Sequence, residues 1–240
     1  MTASPSWRAG NHLLDRLPAD VRDRLQPHLQ PIDLPVGKVL YESEVRQRHI
    51  YFPQSGVISL VYVVESGASG EIAMVGNEGV VGVSVLVDSI ATPTRGEVQV
   101  AGDALMLRSD IVEREFAQAG AFQLMILRYT QLMISQIAQA VICNRHHAME
   151  RQACRWLLSA FDRIDGNELA LTQEAIAQLL GVRRESISEV ARRLQAAGVL
   201  RYSRGRIHLL DRPALERRSC ECYRLLRGEY DRLLVARAAA

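Results

Sequence analysis

Arg183, Arg184 and Glu185 open a helical run, and Arg192 and Arg193 follow two turns later. A helix with arginine and glutamate in its exposed first turn can present them to base edges in a major groove. Arginine donates to guanine there, and a carboxylate accepts from the cytosine amino group. Beyond Gly198 the run VLRYSRGRIHLL alternates as two short strands around Ser203-Arg204-Gly205, a basic hairpin. From Thr172 to Ser219 ten arginines face five acidic residues, a net +5, while the whole chain is only +2, so the remainder carries −3. Positive charge gathered on one module is what phosphate binding requires. An ordinary helical hairpin with solvated arginines is the alternative, and this concentration of charge argues against it.

The elements that must position these side chains lie in TQEAIAQLLGVRRESISEVARRLQAAGVL, Thr172 to Leu200. Ile176, Leu179 and Leu180 recur at helical spacing with Ala177 beside them, and Ile187, Val190, Ala191 and Leu194 do so again. Gly181 stands between, where the chain must turn through a left-handed conformation open mainly to glycine. A small residue at 177, the glycine four on and an apolar residue ten on let two helices cross closely. With the hairpin, this predicts a DNA-binding winged helix.

The chain has 240 residues, 48% of them hydrophobic, enough for a real core in two domains. Net charge near zero excludes a polybasic coat, and Lys38 is the only lysine. The start, MTASPSWRAGNHLLDRL, lacks a basic segment followed by an apolar core, so no secretion signal is expected. Cysteines 143, 154, 220 and 222 form no evident disulfide framework, which favours a reduced, cytoplasmic protein.

Residues 11 to 30 read as a short helical lead-in, with Leu13, Leu14, Leu17, Val21, Leu25 and Leu29 as its stripe and Pro18 near a helix start. From Pro31 to Leu107, β-branched runs (VLYE, HIYF, GVISLVYVV, EIAMV, VVGVSVLV, EVQV, ALMLR) are punctuated by glycines. That texture predicts an antiparallel sandwich or barrel. It holds no nucleophile with its base and no carboxylate pair, so it reads as a sensor or scaffold rather than a catalyst.

From Phe116 to Asn144 only Arg128 is charged. The run is apolar around most of its circumference, which implies burial on more than one side. A membrane span is opposed by Gln123, Arg128, Gln131, Ser135, Gln136 and Gln139. A long helix packed on its own β domain and on a twin helix fits better, with Ile126, Tyr129, Met133, Ile137 and Ala140 as the 3.5-residue seam. On a continuous helix Cys143, His147 and Cys154 would share a stripe, and a metal or redox site is conceivable. With no fourth ligand evident, a hinge with partly buried Cys and His is preferred and no metal is expected. Cys220 and Cys222, two apart in a predicted helix, point to different sides and read as packing residues. Arg151 to Ile164 reads as an amphipathic helix ended by Asp165-Gly166-Asn167, and Pro213 to Leu234 as a helix before a loose Ala-Arg tail.

This order resembles the Crp/Fnr family of bacterial transcription regulators, most specifically in LTQEAIAQLLGVRRESISEVARRLQAAGVL. The resemblance implies an α+β fold with an N-terminal antiparallel β-roll or jelly-roll sensor domain, a long dimerisation helix and a C-terminal winged helix-turn-helix domain. The corresponding segments are 1–115, 116–146 with the hinge, 147–217, and a helical tail over 218–240. It implies a homodimer that binds double-stranded DNA at a palindromic operator and works with RNA polymerase, with no catalytic residue and no resident cofactor. Carried over by position, Arg184 and Glu185 match the family's base-reading pair. The third reading position, usually arginine, is Glu189, which changes the expected operator. Thr172, Arg183, Ser186, Ser188, Arg192, Arg204 and Arg206 are the expected phosphate contacts. The usual serine or threonine before the recognition helix is Arg183, so the N-cap is lost.

Members that bind cyclic AMP use a Gly-Glu pair and an Arg-Ser/Thr pair. Here Gly82-Val83 replaces the first, and Thr94, with Arg95 one place along, falls where the phosphate arginine belongs. One residue along a strand reverses the face, so cyclic AMP is not expected to bind. A ligand-binding or redox- or metal-responsive interaction module of the same fold is the alternative.

Overall fold

The computed structural model describes residues 9–87 and 92–235. The lead-in forms α1 (His12–Asp15) and α2 (Ala19–Leu25). Asn11 caps the first: its side-chain oxygen accepts from the Leu13 and Leu14 N–H groups, and its amide donates to the carbonyls of Pro53 and Gly79. Pro18 precedes α2, where a missing N–H is harmless.

Seven strands follow among the described residues: β1 (Gln30–Leu34), β2 (Val39–Tyr41), β3 (His49–Pro53), β4 (Val57–Val63), β5 (Ser69–Val75), β6 (Thr94–Val100) and β7 (Gly102–Arg108). They pair antiparallel in two sheets, ordered β1-β7-β3 and β2-β6-β4-β5. Leu34, Ile50, Phe52, Ala104 and Leu107 from the first sheet share a core with Ile58, Ala73, Val75 and Val98 from the second. Strand β1 (QPIDL) escapes the expected pattern because its prolines and aspartate mask a short edge strand. The run VVGVSVLV is β-branched yet not a strand: Gly82 sits at φ 96° and Val83–Leu86 coil into a 3-10 turn. Local conformation at glycine there overrides strand propensity.

The long helix expected from Phe116 starts slightly later, behind a shorter helix and a turn. After α3 (Ser109–Ala117) the chain turns, and α4 runs from Ala121 to His146. Next come α5 (Met149–Phe161), β8 (Glu168–Ala170), α6 (Gln173–Leu180), α7 (Arg184–Ala196), β9 (Leu200–Ser203), β10 (Arg206–Leu209), α8 (Arg212–Arg218) and α9 (Cys222–Tyr230). The expected helix over Pro213 to Leu234 is thus broken at Ser219–Glu221. The expected Ala-Arg tail lies, from 236 on, outside the described residues. No helix of the described residues is long and apolar enough to cross a membrane.

The long helix does bury one side on its own β domain, but with a different stripe from the one expected. Ile126, Tyr129 and Met133 are buried in the β-domain core within a single chain, with Ile137 packed against it. They cannot also form an open seam for a twin helix. The apolar stripe left exposed is Leu124, Leu127, Ile134 and Val141, with Gln131 and Ala138 between. Those six positions step by three and four, the a/d rhythm of a coiled coil.

The C-terminal half is docked on the β domain. Val57, Val61 and Met74, from the outer face of the second sheet, join a core with Trp156, Leu157, Phe161, Ile176, Leu179 and Leu194. Glu71 on β5 is the polar link: the Trp156 indole Nε1 donates to it at 2.8 Å and the Ser59 hydroxyl donates to its other oxygen. Nearby, Arg163 and Glu78 form a largely buried ion pair at 2.7 Å.

Burial pushes the Glu71 carboxyl above the usual carboxylate range, against the lowering pull of Ser59, Trp156, Arg155 and Arg163. A carboxyl raised in the folded state contributes stability below its unfolded pKa and loses that contribution as pH rises through the raised value. Glu71→Gln keeps an acceptor for Trp156 and removes the titration. Urea unfolding over a pH series should show wild type losing stability relative to Glu71→Gln as pH rises. Parallel profiles would mean that Glu71 pays no desolvation cost.

Candidate nucleic-acid interface

Helices α6 and α7 meet as the spacing predicts. Thr172 caps α6, its hydroxyl oxygen accepting from Ala175 N–H at 3.1 Å. Gly181 ends the helix in the left-handed region, φ 66° and ψ 36°, and the Val182 N–H closes the turn on the Ala177 carbonyl at 2.9 Å. Ile187, Val190, Ala191 and Leu194 of α7 are buried, which rolls Arg184, Glu185, Glu189 and Arg192 outward as one exposed face. Arg183 is the N-cap and makes no side-chain cap hydrogen bond, as expected from the missing serine or threonine. The first turn of α7 therefore keeps N–H groups that an anion can satisfy.

The remaining candidates divide by what already holds them. Arg204 stands exposed at the tip between β9 and β10, with φ 50°, followed by Gly205 at φ 75°. Two successive positive φ values make the tight hairpin turn whose twist suits flanking strands. The Tyr202 hydroxyl donates to the Leu171 carbonyl at 2.7 Å and ties this wing to the start of α6. Arg206 is paired with Glu168 of β8, a strand the sequence reading missed because only three residues form it. Ser188 donates to the Gln173 side chain at 2.6 Å, so its hydroxyl proton is already engaged; Ser186 is half-buried. Glu189 pairs with Arg193, which also reaches Glu150 at 3.6 Å. Arg184 lies 3.9 Å from Glu174, a loose exposed contact of little energy that leaves the guanidinium available.

The expected effector residues do not converge on one charged pocket. The ladder between β4 and β6 is regular from Thr94 to Val98, with Thr94, Gly96 and Val98 alternating against Arg95 and Glu97. Val98 is in the core, so Arg95 lies on the opposite face, where it pairs with Glu97 at 2.7 Å. Thr94 meets the Tyr41 hydroxyl at 3.3 Å. A cavity of about 280 Å³ lies elsewhere, where His12, Glu78, Tyr129, Arg163, Tyr223 and Tyr230 meet at the junction of the two halves.

The cysteines also regroup. The helix stops at His146, with His147 as its C-cap, so Cys154 cannot share a stripe with Cys143 and His147. It sits in the core of the C-terminal half, where burial pushes its thiol up to about 12. Cys143 and His147 instead meet Cys220 and Cys222. Both are buried, as packing residues would be, but the expectation that they point to different sides of one helix fails because Cys220 precedes α9 rather than belonging to it.

Comparisons with known proteins agree with this geometry. The Crp-like helix-turn-helix domain matches residues 152–218. The fold is similar to a Crp/Fnr-family protein from Eubacterium rectale, with TM-score 0.68 and 18% identity over 90% of this chain and 100% of that one. It is also similar to FixK2 from Bradyrhizobium japonicum, with TM-score 0.66 and 14% identity over 80% and 98%. The c-di-GMP-responsive regulator CLP of Xanthomonas campestris follows, with TM-score 0.63 and 15% identity over 80% and 99%. No curated protein matches the chain in sequence. The chain has the fold of these solved Crp/Fnr-family proteins. Its residues 152–218 are a Crp-like helix-turn-helix domain.

Proposed function

We propose that this chain is a sequence-specific DNA-binding transcription regulator that acts as a homodimer on a palindromic operator. The observation that carries the reading is the outward face of α7, where Arg184, Glu185 and Glu189 stand exposed beside a wing tipped by Arg204. Arg184 and Glu185 read base edges first, and Glu189 does so once it exchanges Arg193 for a cytosine amino group. Arg183, Arg192, Arg204 and the Thr172 hydroxyl hold phosphates. Arg206, Ser186 and Ser188 contribute less, because Glu168 and Gln173 compete for two of them and the third is half-buried.

The partner copy packs along the outer stripe of α4, Leu124, Leu127, Ile134 and Val141, which keeps two reading helices on one face of the duplex. The protein works on DNA in the cytoplasm and meets RNA polymerase at the promoter. Cyclic AMP is not its effector, because Val83 offers no carboxylate to a ribose and Arg95 is turned away and neutralised by Glu97. The alternative, an interaction module with no DNA partner, leaves the exposed arginines of α7 without a use.

Anisotropy titration of a labelled duplex across a salt series tests the reading. Six to ten phosphate contacts should reduce affinity by about 10³–10⁵ between roughly 50 and 200 mM salt, with cyclic AMP leaving the curves unchanged. Salt-independent or absent binding would overturn the DNA reading. A curve moved by cyclic AMP would overturn only the effector statement.

A further inference from the structure

Four side chains from two distant stretches converge just below the hinge at His147–Ala148. Cys143 lies in the last turn of α4 and His147 caps it; Cys220 and Cys222 flank Glu221 at the start of α9. Their sulfur atoms and one ring nitrogen all lie within 4.8 Å of one another. Cys143 Sγ is 3.5 Å from Cys220 Sγ, and Cys222 Sγ is 3.5 Å from His147 Nδ1. Tetrahedral bonds of about 2.3 Å to sulfur and 2.0 Å to nitrogen place ligand atoms roughly 3.5–3.8 Å apart, so a small closure completes the cage. A multi-iron cluster would need its ligands splayed around more than one metal.

We propose that Cys143, His147, Cys220 and Cys222 bind one zinc ion in a closed tetrahedral site. Three observations separate this from three small residues packed together. The three cysteines form an apolar cluster of their own, apart from both cores, with no aliphatic side chain among its buried members. The imidazole is oriented as a ligand: Nδ1 faces the sulfurs and Nε2 faces Glu221 Oε1 at 3.2 Å. A carboxylate behind the second ring nitrogen is the usual outer partner of a metal-bound histidine. A donor also faces the cluster: the Gln139 amide donates to Cys222 Sγ at 2.8 Å.

Four protein ligands leave no open position, which is the pattern of a structural rather than a catalytic zinc site. The ion ties the end of α4 to the segment between α8 and α9, across the joint where the C-terminal half begins. It therefore sets where that half stands on the long helix.

The test uses the full chain, stripped of metal under reductant and titrated with Co²⁺ and then Zn²⁺. One Co²⁺ per chain should bind, with the intense visible bands of a tetrahedral ion and a near-ultraviolet thiolate-to-cobalt transition, and Zn²⁺ should displace it. Zinc should raise the melting temperature by about 5–10 °C, and a chelator should reverse the rise. Cys222→Ser should lose the charge-transfer intensity of one thiolate, and Glu221→Ala should weaken binding by about 10–100-fold. Cys154→Ala should bind as wild type. The wild-type titration stands alone if a variant fails to fold. No saturable cobalt spectrum at micromolar metal, or a spectrum unchanged in Cys222→Ser, would overturn the proposal, as would a Cys143–Cys220 disulfide in protein that takes up no metal. None of these readouts depends on DNA binding.

Discussion

Ile134→Asp is expected to sediment as a monomer and to lose its hold on a two-fold operator. Ile134 lies in the middle of the exposed stripe on α4, between Leu127 and Val141, and touches none of the chain's own core. In a symmetric pair the substitution would bury two unpaired carboxylates close together, each costing several kcal/mol. The folded monomer should survive, because the side chain already faces water in a single chain. Losing the tether between two reading heads should weaken operator binding by about 10²–10⁴-fold. Met133→Asp, one residue away, should behave differently: Met133 packs into the β domain, and the charge should unfold that domain. Sedimentation and circular dichroism separate the two outcomes. A dimeric Ile134→Asp protein would remove this stripe as the interface.

Arg184→Ala should cost about 1–3 kcal/mol per half-site, so roughly 30- to 10⁴-fold for a dimer on its operator. The guanidinium is the first exposed side chain of α7 and its contact with Glu174 is too loose to hold it back. Its loss should relax selection at one base pair in each half-site and leave affinity for unrelated DNA nearly unchanged. Arg204→Ala gives the contrast. At the wing tip it should weaken every sequence alike and flatten the salt dependence, as a phosphate contact does. Anisotropy competition between operator and random duplex reads both effects. A selected motif unchanged in Arg184→Ala would mean that another face of α7 reads the bases.

The helix-turn-helix was legible because two independent signals coincide: the 3.6-residue apolar period over 176–194 and a glycine at the one position that needs positive φ. The wing was legible from alternation around Ser203-Arg204-Gly205, while β8 was too short to leave a period. Sheet order could not be read, because pairing in a sandwich is decided by contacts remote in sequence. The stripe proposed here for the partner copy differs from the expected one for a related reason. The helix is apolar nearly all round, both Ile126–Tyr129–Met133 and Leu124–Leu127–Ile134 have coiled-coil spacing, and only the β domain's position decides which is inside. The cysteine site left a readable trace in Cys143-x3-His147 and Cys220-x-Cys222. It was obscured by the expected single helix over 213–234, because the break at Ser219–Glu221, together with the hinge at His147, is what turns the four side chains together.

The central claim, that two copies of this chain read a symmetric DNA site with α7, is tested most directly by selecting binding sites for the wild-type protein from a random duplex pool. The account predicts one enriched motif with two inverted half-sites about one helical turn apart, roughly 34–36 Å between centres. Each half should hold a guanine dependent on Arg184 and a cytosine dependent on Glu185 or Glu189. A motif without two-fold symmetry, or a pool that does not enrich at all, would contradict it.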